Sequence, residues 1–248
     1  MKKQPQFPTE EVTLPSKGLL YPKESPLSKG AITMKYMTAR EEDILTNQNL
    51  IENGTVIDKL LQSLIITPIN YDDLLLGDKN AVLIAARILG YGKDYEFEHK
   101  GETHQADLTK VEDKSLNESL ILNNENKFFF TLPTAKKEVT FKLLTHGDEK
   151  AIANEMKGLK RLNKDSSSNV STRMKYMITS IGGDSETKTI REFVDNELLA
   201  RDARELRNYI AEVQPDIDLT HEYEDKNGDF VKITIPIGLN FFWPDTDI

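Results

Sequence analysis

At 248 residues, 38% hydrophobic and 8% aromatic, the chain has apolar material for one large core or two small ones, since domains run to about 100–150 residues. Its 32 Lys and Arg against 41 Asp and Glu leave a net charge of −9, which opposes phosphate neutralisation, argues against nucleic acid as a partner and suits a basic protein surface. Cysteine is absent, which excludes disulfides, thiolate zinc sites, iron–sulfur clusters and a Cys nucleophile.

Residues 1–12 read as a mobile lead. The opening MKKQPQFPTEEVTL has Gln, Pro and Glu where a secretory signal needs an apolar run. No later stretch approaches the ~20 apolar residues of a membrane span, so a cytoplasmic protein with no membrane partner is expected.

Residues 13–108 read as an N-terminal α+β half. EVTLPSKGLLYP is a short strand broken by Pro15 and Gly18, and AITMKYM is a second strand with alternating side chains. TAREEDIL opens a helix on a capping box, Thr38 with Glu41, in which hydroxyl and carboxylate satisfy free N–H groups of the first turn. TVIDKLLQSLII puts Val56, Ile57, Leu60, Leu61, Leu64 and Ile65 on one helical stripe ended by Pro68. GDKNAVLIAARILGYG, apolar around most of its circumference, predicts a central helix between a cap at Asp78 and Gly90. DYEFE and THQADL about HKG predict a hairpin, and the run of Lys, Glu, Asp, Asn and Ser over 109–127 predicts a polar linker.

Residues 128–248 repeat this grammar. FTLPTAKKEVTFKLL restates strand, Leu-Pro, strand, and Thr145 with Asp148 stand where Thr38 and Glu41 stood. VSTRMKYMITSI predicts a helix with Val170, Met174, Met177, Ile178 and Ile181 on one face, and DNELLARDARELRNYI parallels DDLLLGDKNAVLIAARIL. DIDLTHEYEDKNGDFVKITIPI closes as a hairpin about Asn227-Gly228. The expectation is an α+β fold of two related halves, a diverged internal duplication, each running strand, strand, helices, hairpin.

Nothing in the text assembles a reaction centre. Asp72, Asp73 and Asp78 are close enough in sequence for a metal-dependent enzyme, but helix starts favour carboxylates for capping alone. His99 and His104 flank the first hairpin turn, His221 sits beside the second and His146 lies at a helix start; two imidazoles without a third ligand hold metal poorly. LGYGKDY and IGGDSETK lack the strand-then-helix context of a phosphate loop and read as helix C-caps. Arg87, inside the most apolar helix, is expected to lay its stem along the core and send its head to water. Catalytic, cofactor and metal residues are therefore expected to be none.

Two segments read as partner-binding candidates. Leu199, Ala203, Leu206, Ile210 and Val213 lie along a seam at alternating spacings of four and three that suits a partner helix, with Leu199, Leu206 and Ile210 as its partner-binding candidates. Phe241, Phe242 and Trp243, in GLNFFWP, either cover the apolar side of the second hairpin or insert into a partner.

At LPSKGLLYP, MTAREEDIL, LLLGDKNAVLIAARILGYGKDYEF, LPTAKKEVTFKLLTHGDE and PIGLNFFWP, from Val12 to Pro244, the chain resembles the baseplate hub assembly proteins of T-even-like contractile-tailed bacteriophages. The resemblance implies a late viral protein of the host bacterial cytoplasm and, in one form, of the virion baseplate. Its partners would be other tail or hub proteins, as hub subunit or as assembly factor, with a tail-assembly chaperone as the alternative. Relatives carry Cys-x-x-Cys pairs in the two hairpins, implying small zinc ribbons. Here the corresponding turns read EHKGE and EDKNG, so no zinc is expected.

Overall fold

The computed structural model describes residues 8–114, 116–121, 124–162, 169–224, 228–237 and 239–242. The fold is α+β, with helices packed among small antiparallel sheets. Four residues assigned to the lead, 9–12, belong to β1 (Thr9–Thr13), which pairs with β2 (Ala31–Lys35) from Thr9 opposite Lys35 to Thr13 opposite Ala31. Alternation in β2 buries Ile32 and Met34. Between the strands, Gly18 has φ 75° and lies so close to the Ser28 carbonyl that a Cβ would sit 2.4 Å from its oxygen.

The capping box opens α1 (Ala39–Leu45): Thr38 N–H and Oγ1–H donate to Glu41 Oε2 at 3.0 and 2.6 Å. After α2 (Gln48–Glu52), α3 (Val56–Leu64) buries Val56, Leu60, Leu61 and Leu64. It stops short of the expected stripe, because Ile65 turns extended to bridge Met34 and Ile66 N–H donates to the Thr33 carbonyl at 2.8 Å. The edge of β2 thus captures the end of an apolar run that periodicity assigns to the helix.

The central helix, α4 (Leu76–Tyr91), is buried on several sides and runs through Gly90 to end at Gly92, φ 86°. The hairpin of β3 (Asp94–His99) and β4 (Glu102–Asp107) turns on Lys100 and Gly101, both with positive φ, as a two-residue loop requires.

Described residues of 109–127 are tied to the fold rather than standing free as a linker. Within them β5 (Glu112–Asp113) pairs with β9 (Ile217–Asp218), and Val111, Leu120 and Ile121 pack on the core. Three apolar side chains inside polar text are enough to lay the segment down.

In the second half, β6 (Phe128–Thr131), β7 (Glu138–Phe141) and β8 (Ile178–Ile181) form one sheet in that order. The second capping box opens α5 (His146–Leu162), with Thr145 N–H donating to Asp148 Oδ2 at 3.1 Å. The helix α6 (Asn169–Met177) is shorter than its apolar face suggests: Ile178 and Ile181 belong to β8, where Thr179 and Ser180 hydroxyls meet Thr140 Oγ1 at 2.8 and 2.7 Å, and Val170 is 49% exposed. Stiff β-branched residues beside an open strand edge explain the switch. An additional helix, α7 (Thr187–Asn196), buries Ile190, Phe193 and Val194 ahead of α8 (Ala200–Val213). A last hairpin joins β10 (Thr220–Glu224) to β11 (Phe230–Thr234), with Gly228 at φ 84°; Asn227 lies outside the described residues.

The Leu-Pro turns and the acid-bearing helices, which the sequence presents as separate landmarks, are partners. Asp78, third residue of α4 and 0% exposed, accepts from Ser16 N–H at 2.9 Å, Ser16 Oγ–H at 2.6 Å and Tyr21 O–H at 2.6 Å, just after Leu14-Pro15. Asp202, third residue of α8, accepts from Thr134 and Ala135 N–H at 2.7 and 3.0 Å, just after Leu132-Pro133. Leu75 and Leu199, immediately before the two helices, share one extended conformation, ψ 146° and 143°. The same clamp is built twice, and one continuous hydrophobic cluster spans both halves.

Candidate functional site at the junction of the halves

The two halves are sewn together where the turn Tyr71–Asp73 meets the start of α5. His146 N–H donates to the Leu74 carbonyl at 2.8 Å and Leu76 N–H to the Leu144 carbonyl at 3.1 Å. Gly147 permits the approach, since a Cβ there would lie 3.0 Å from the Asp72 carbonyl oxygen.

Above this seam runs a groove of about 810 Å³. One wall is α3 with the loop before it, including Asn53, Asp58, Lys59 and Gln62. The other is the α5 face that repeats every three to four residues, Lys150, Ala153, Asn154 and Lys157, all exposed.

The floor is a closed charge network. Lys79 Nζ donates to Asp58 Oδ1 at 2.6 Å and to His146 Nδ1 at 3.2 Å, and Tyr71 O–H donates to the same Asp58 oxygen at 3.1 Å. An ammonium can only donate, so Nδ1 accepts and Nε2 carries the proton. Nε2 faces Asp58 Oδ2 at 3.7 Å and Asp72 Oδ1 at 3.9 Å, while the Tyr71 ring meets the imidazole edge-on at 4.6 Å. Burial and the Lys79 charge push the His146 pKa down, against the pull of Asp58 and Asp72. Burial and the Asp58 charge push the Tyr71 phenol far up. The network therefore holds a neutral imidazole between two opposed charges, which suits rigid registration of the halves.

The three carboxylates with enzymatic potential do not converge. Asp78 is enclosed in the first clamp, Asp73 accepts from Asn70 Nδ2 at 3.0 Å, and Asp72 lies 3.5 Å from Lys150 Nζ in the groove. Among the described residues no three His, Asp or Glu side chains are grouped to hold a metal ion. Arg87, 1% exposed, does not send its head to water: its guanidinium donates to the Gly92 and Asp94 carbonyls at 3.0 and 3.2 Å and lies over the Tyr91 ring.

Most described partner candidates are enclosed. Phe241 and Phe242 are 0% exposed; Phe241 meets Tyr95 edge-on at 4.8 Å and Phe242 at 5.5 Å, while Trp243 lies outside the described residues. Leu206 and Ile210 are buried in the chain's own core, so the seam of α8 is closed to a partner helix, and only Leu199, at 48%, is open. Sequence reasoning missed the groove, because Lys79 and His146 are 67 positions apart and neither stands in a recognisable spacing.

Comparison with family models, curated proteins and solved structures finds no match to this chain. No described helix is long and apolar enough to cross a membrane.

Proposed function

We propose that this chain is a non-enzymatic bacteriophage morphogenesis protein that acts by protein–protein contacts in assembly of the tail baseplate hub, in the host cytoplasm, as a hub subunit or an assembly factor. The ordered landmarks from Val12 to Pro244 support the hub assignment, and the twice-built aspartate clamp supports reading the halves as a diverged duplication.

One observation carries the contact mode. The groove between α3 and α5 has a floor whose charges are engaged with one another and a rim of exposed polar side chains, Lys59, Gln62, Asn154 and Lys157. These features support reading the groove as a surface that seats another chain.

Phage deleted for this gene are expected to accumulate tails without complete baseplates, and recovery of normal baseplates overturns the proposal. Quantitative mass spectrometry of purified particles separates its two forms. A fixed copy number identifies a hub subunit. Absence from particles, with tail proteins captured from infected-cell lysate, identifies an assembly factor or chaperone.

A further inference from the structure

The two hairpins lie face to face, and their seam is lined with rings. Strand alternation directs Tyr95, Phe97 and His99 of β3, with Glu102, His104 and Ala106 of β4, to one side. On the second hairpin His221 and Tyr223 share a face with their cross-strand neighbours Ile233 and Val231. The His104 ring lies 4.0 Å from Tyr223 and 5.7 Å from Phe97, and Phe97 takes His221 edge-on at 5.8 Å. His99 stands 6.2 Å from both His104 and Tyr223. Three of the four imidazoles of the chain thus meet at one contact.

Burial favours the neutral form of His221. His104 Nε2 is buried without a hydrogen-bond partner among the described residues. His221 has its pKa lowered by burial first and by the charge of His104 second.

Charged groups of both hairpins surround the seam. Glu102 pairs in register with His99, at the far end of the seam from His221. Asp94, Asp107 and Lys110 share a crevice of about 260 Å³ with His221, but Asp107 is held by Lys93 at 2.8 Å and by Thr109. Glu222 and Lys232 pair on the outer face of the second hairpin.

The second hairpin runs directly into the terminal aromatics. Tyr95 O–H donates to the Pro236 carbonyl at 3.1 Å, Ile235 is buried, and Phe241 packs on the same Tyr95 ring. His221, Tyr223, Pro236 and Phe241 thus all rest on side chains of the first hairpin.

We propose that this seam is an acid-opened latch: protonation of its clustered imidazoles separates the β10–β11 hairpin from β3–β4 and frees Phe241 and Phe242 from the core. A single imidazolium is tolerated against the faces of Tyr223 and Phe97. A second places like charges across a half-buried seam, where their repulsion is screened less than in bulk water. Opening makes display of the buried aromatic pair conditional on pH. The latch does not depend on the baseplate reading.

Amide hydrogen exchange of the full chain, corrected for the pH dependence of intrinsic exchange, tests it. Peptides covering 220–242 are expected to lose about tenfold or more of their protection between pH 7.5 and 5.5, while the β6–β7–β8 sheet keeps its own. The double substitution His104→Gln and His221→Gln is expected to keep residues 220–242 protected at both pH values. Unchanged protection in the parent chain, loss spread evenly over the whole molecule, or equal acid loss in the double variant overturns the latch. NMR titration of the parent histidines supplies a variant-free check: His221 must titrate over the interval in which protection falls, and titration without that loss refutes the proposal.

Discussion

Replacing Asp78 by Ala tests the clamp that ties the turn after Leu14-Pro15 to the central helix. The carboxylate receives three buried donors, Ser16 N–H, Ser16 Oγ–H and Tyr21 O–H. The two hydroxyls keep their acceptor roles toward Gly18 and Leu75 N–H, at 3.2 and 2.9 Å, but lose the oxygen they donate to. Each stranded buried donor costs about 1–3 kcal/mol, less what is recovered by no longer burying a charge, so the net loss is about 3–5 kcal/mol. At about 2–4 °C per kcal/mol for a chain of this size, the melting temperature drops by roughly 6–20 °C.

Asp78→Asn keeps an acceptor for Ser16 N–H and should cost only about 1 kcal/mol. Burial raises the Asp78 pKa, so the fold favours its protonated form. That contribution is fully present below the ordinary carboxylate value and is lost as pH rises through the raised one. The deficit of the Asn variant should accordingly shrink as pH rises above the ordinary carboxylate value. Urea unfolding at fixed pH measures all three chains. An Ala variant within 1 kcal/mol of the parent, or an Asn variant as costly as Ala, refutes the reasoning.

Gly77→Ala should cost about 3 kcal/mol or more, because a Cβ there would lie 1.8 Å from the Pro215 carbonyl oxygen; unchanged urea unfolding would show that the approach of α4 to 215–216 is looser than described. Glu155, held at about pKa 2 chiefly by Arg191 with further help from Tyr176, gives stability that is present above the ordinary glutamate value and lost as pH falls toward 2. Glu155→Gln should therefore cost about 1–2 kcal/mol at pH 7 and much less as pH falls toward 2, read by thermal melts across that range. His146, with its pKa lowered, contributes fully above the ordinary imidazole value and loses that contribution as pH falls through the folded value; His146→Gln should flatten this acid step in a stability-against-pH curve. Phe241→Ala should cost about 3–5 kcal/mol, and a change under 1 kcal/mol in urea unfolding would place Phe241 outside the core.

The elements legible in the sequence are those decided within a few residues. Both capping boxes join groups three positions apart, and the Lys100-Gly101 turn needs only the positive φ that these two residues adopt. Where apolar text was open to either period, neighbours chose: Ile65 and Ile66 went to the edge of β2, and Ile178 to Ile181 to the edge of β7. Residues 109–127 read as linker because composition averages over Val111, Leu120 and Ile121, whose burial depends on a core built elsewhere.

The sequence by itself determined the α+β class, the order of landmarks, and the absence of thiol chemistry, since each follows from composition or from contacts along a short stretch of backbone. Tertiary structure alone decided that Asp78 would clamp a turn 62 positions away, that Lys79 would meet His146 across the halves, and that Phe241 would close on Tyr95. Such pairings depend on where the whole chain returns after long loops have closed, and periodicity within one segment carries no record of that distance.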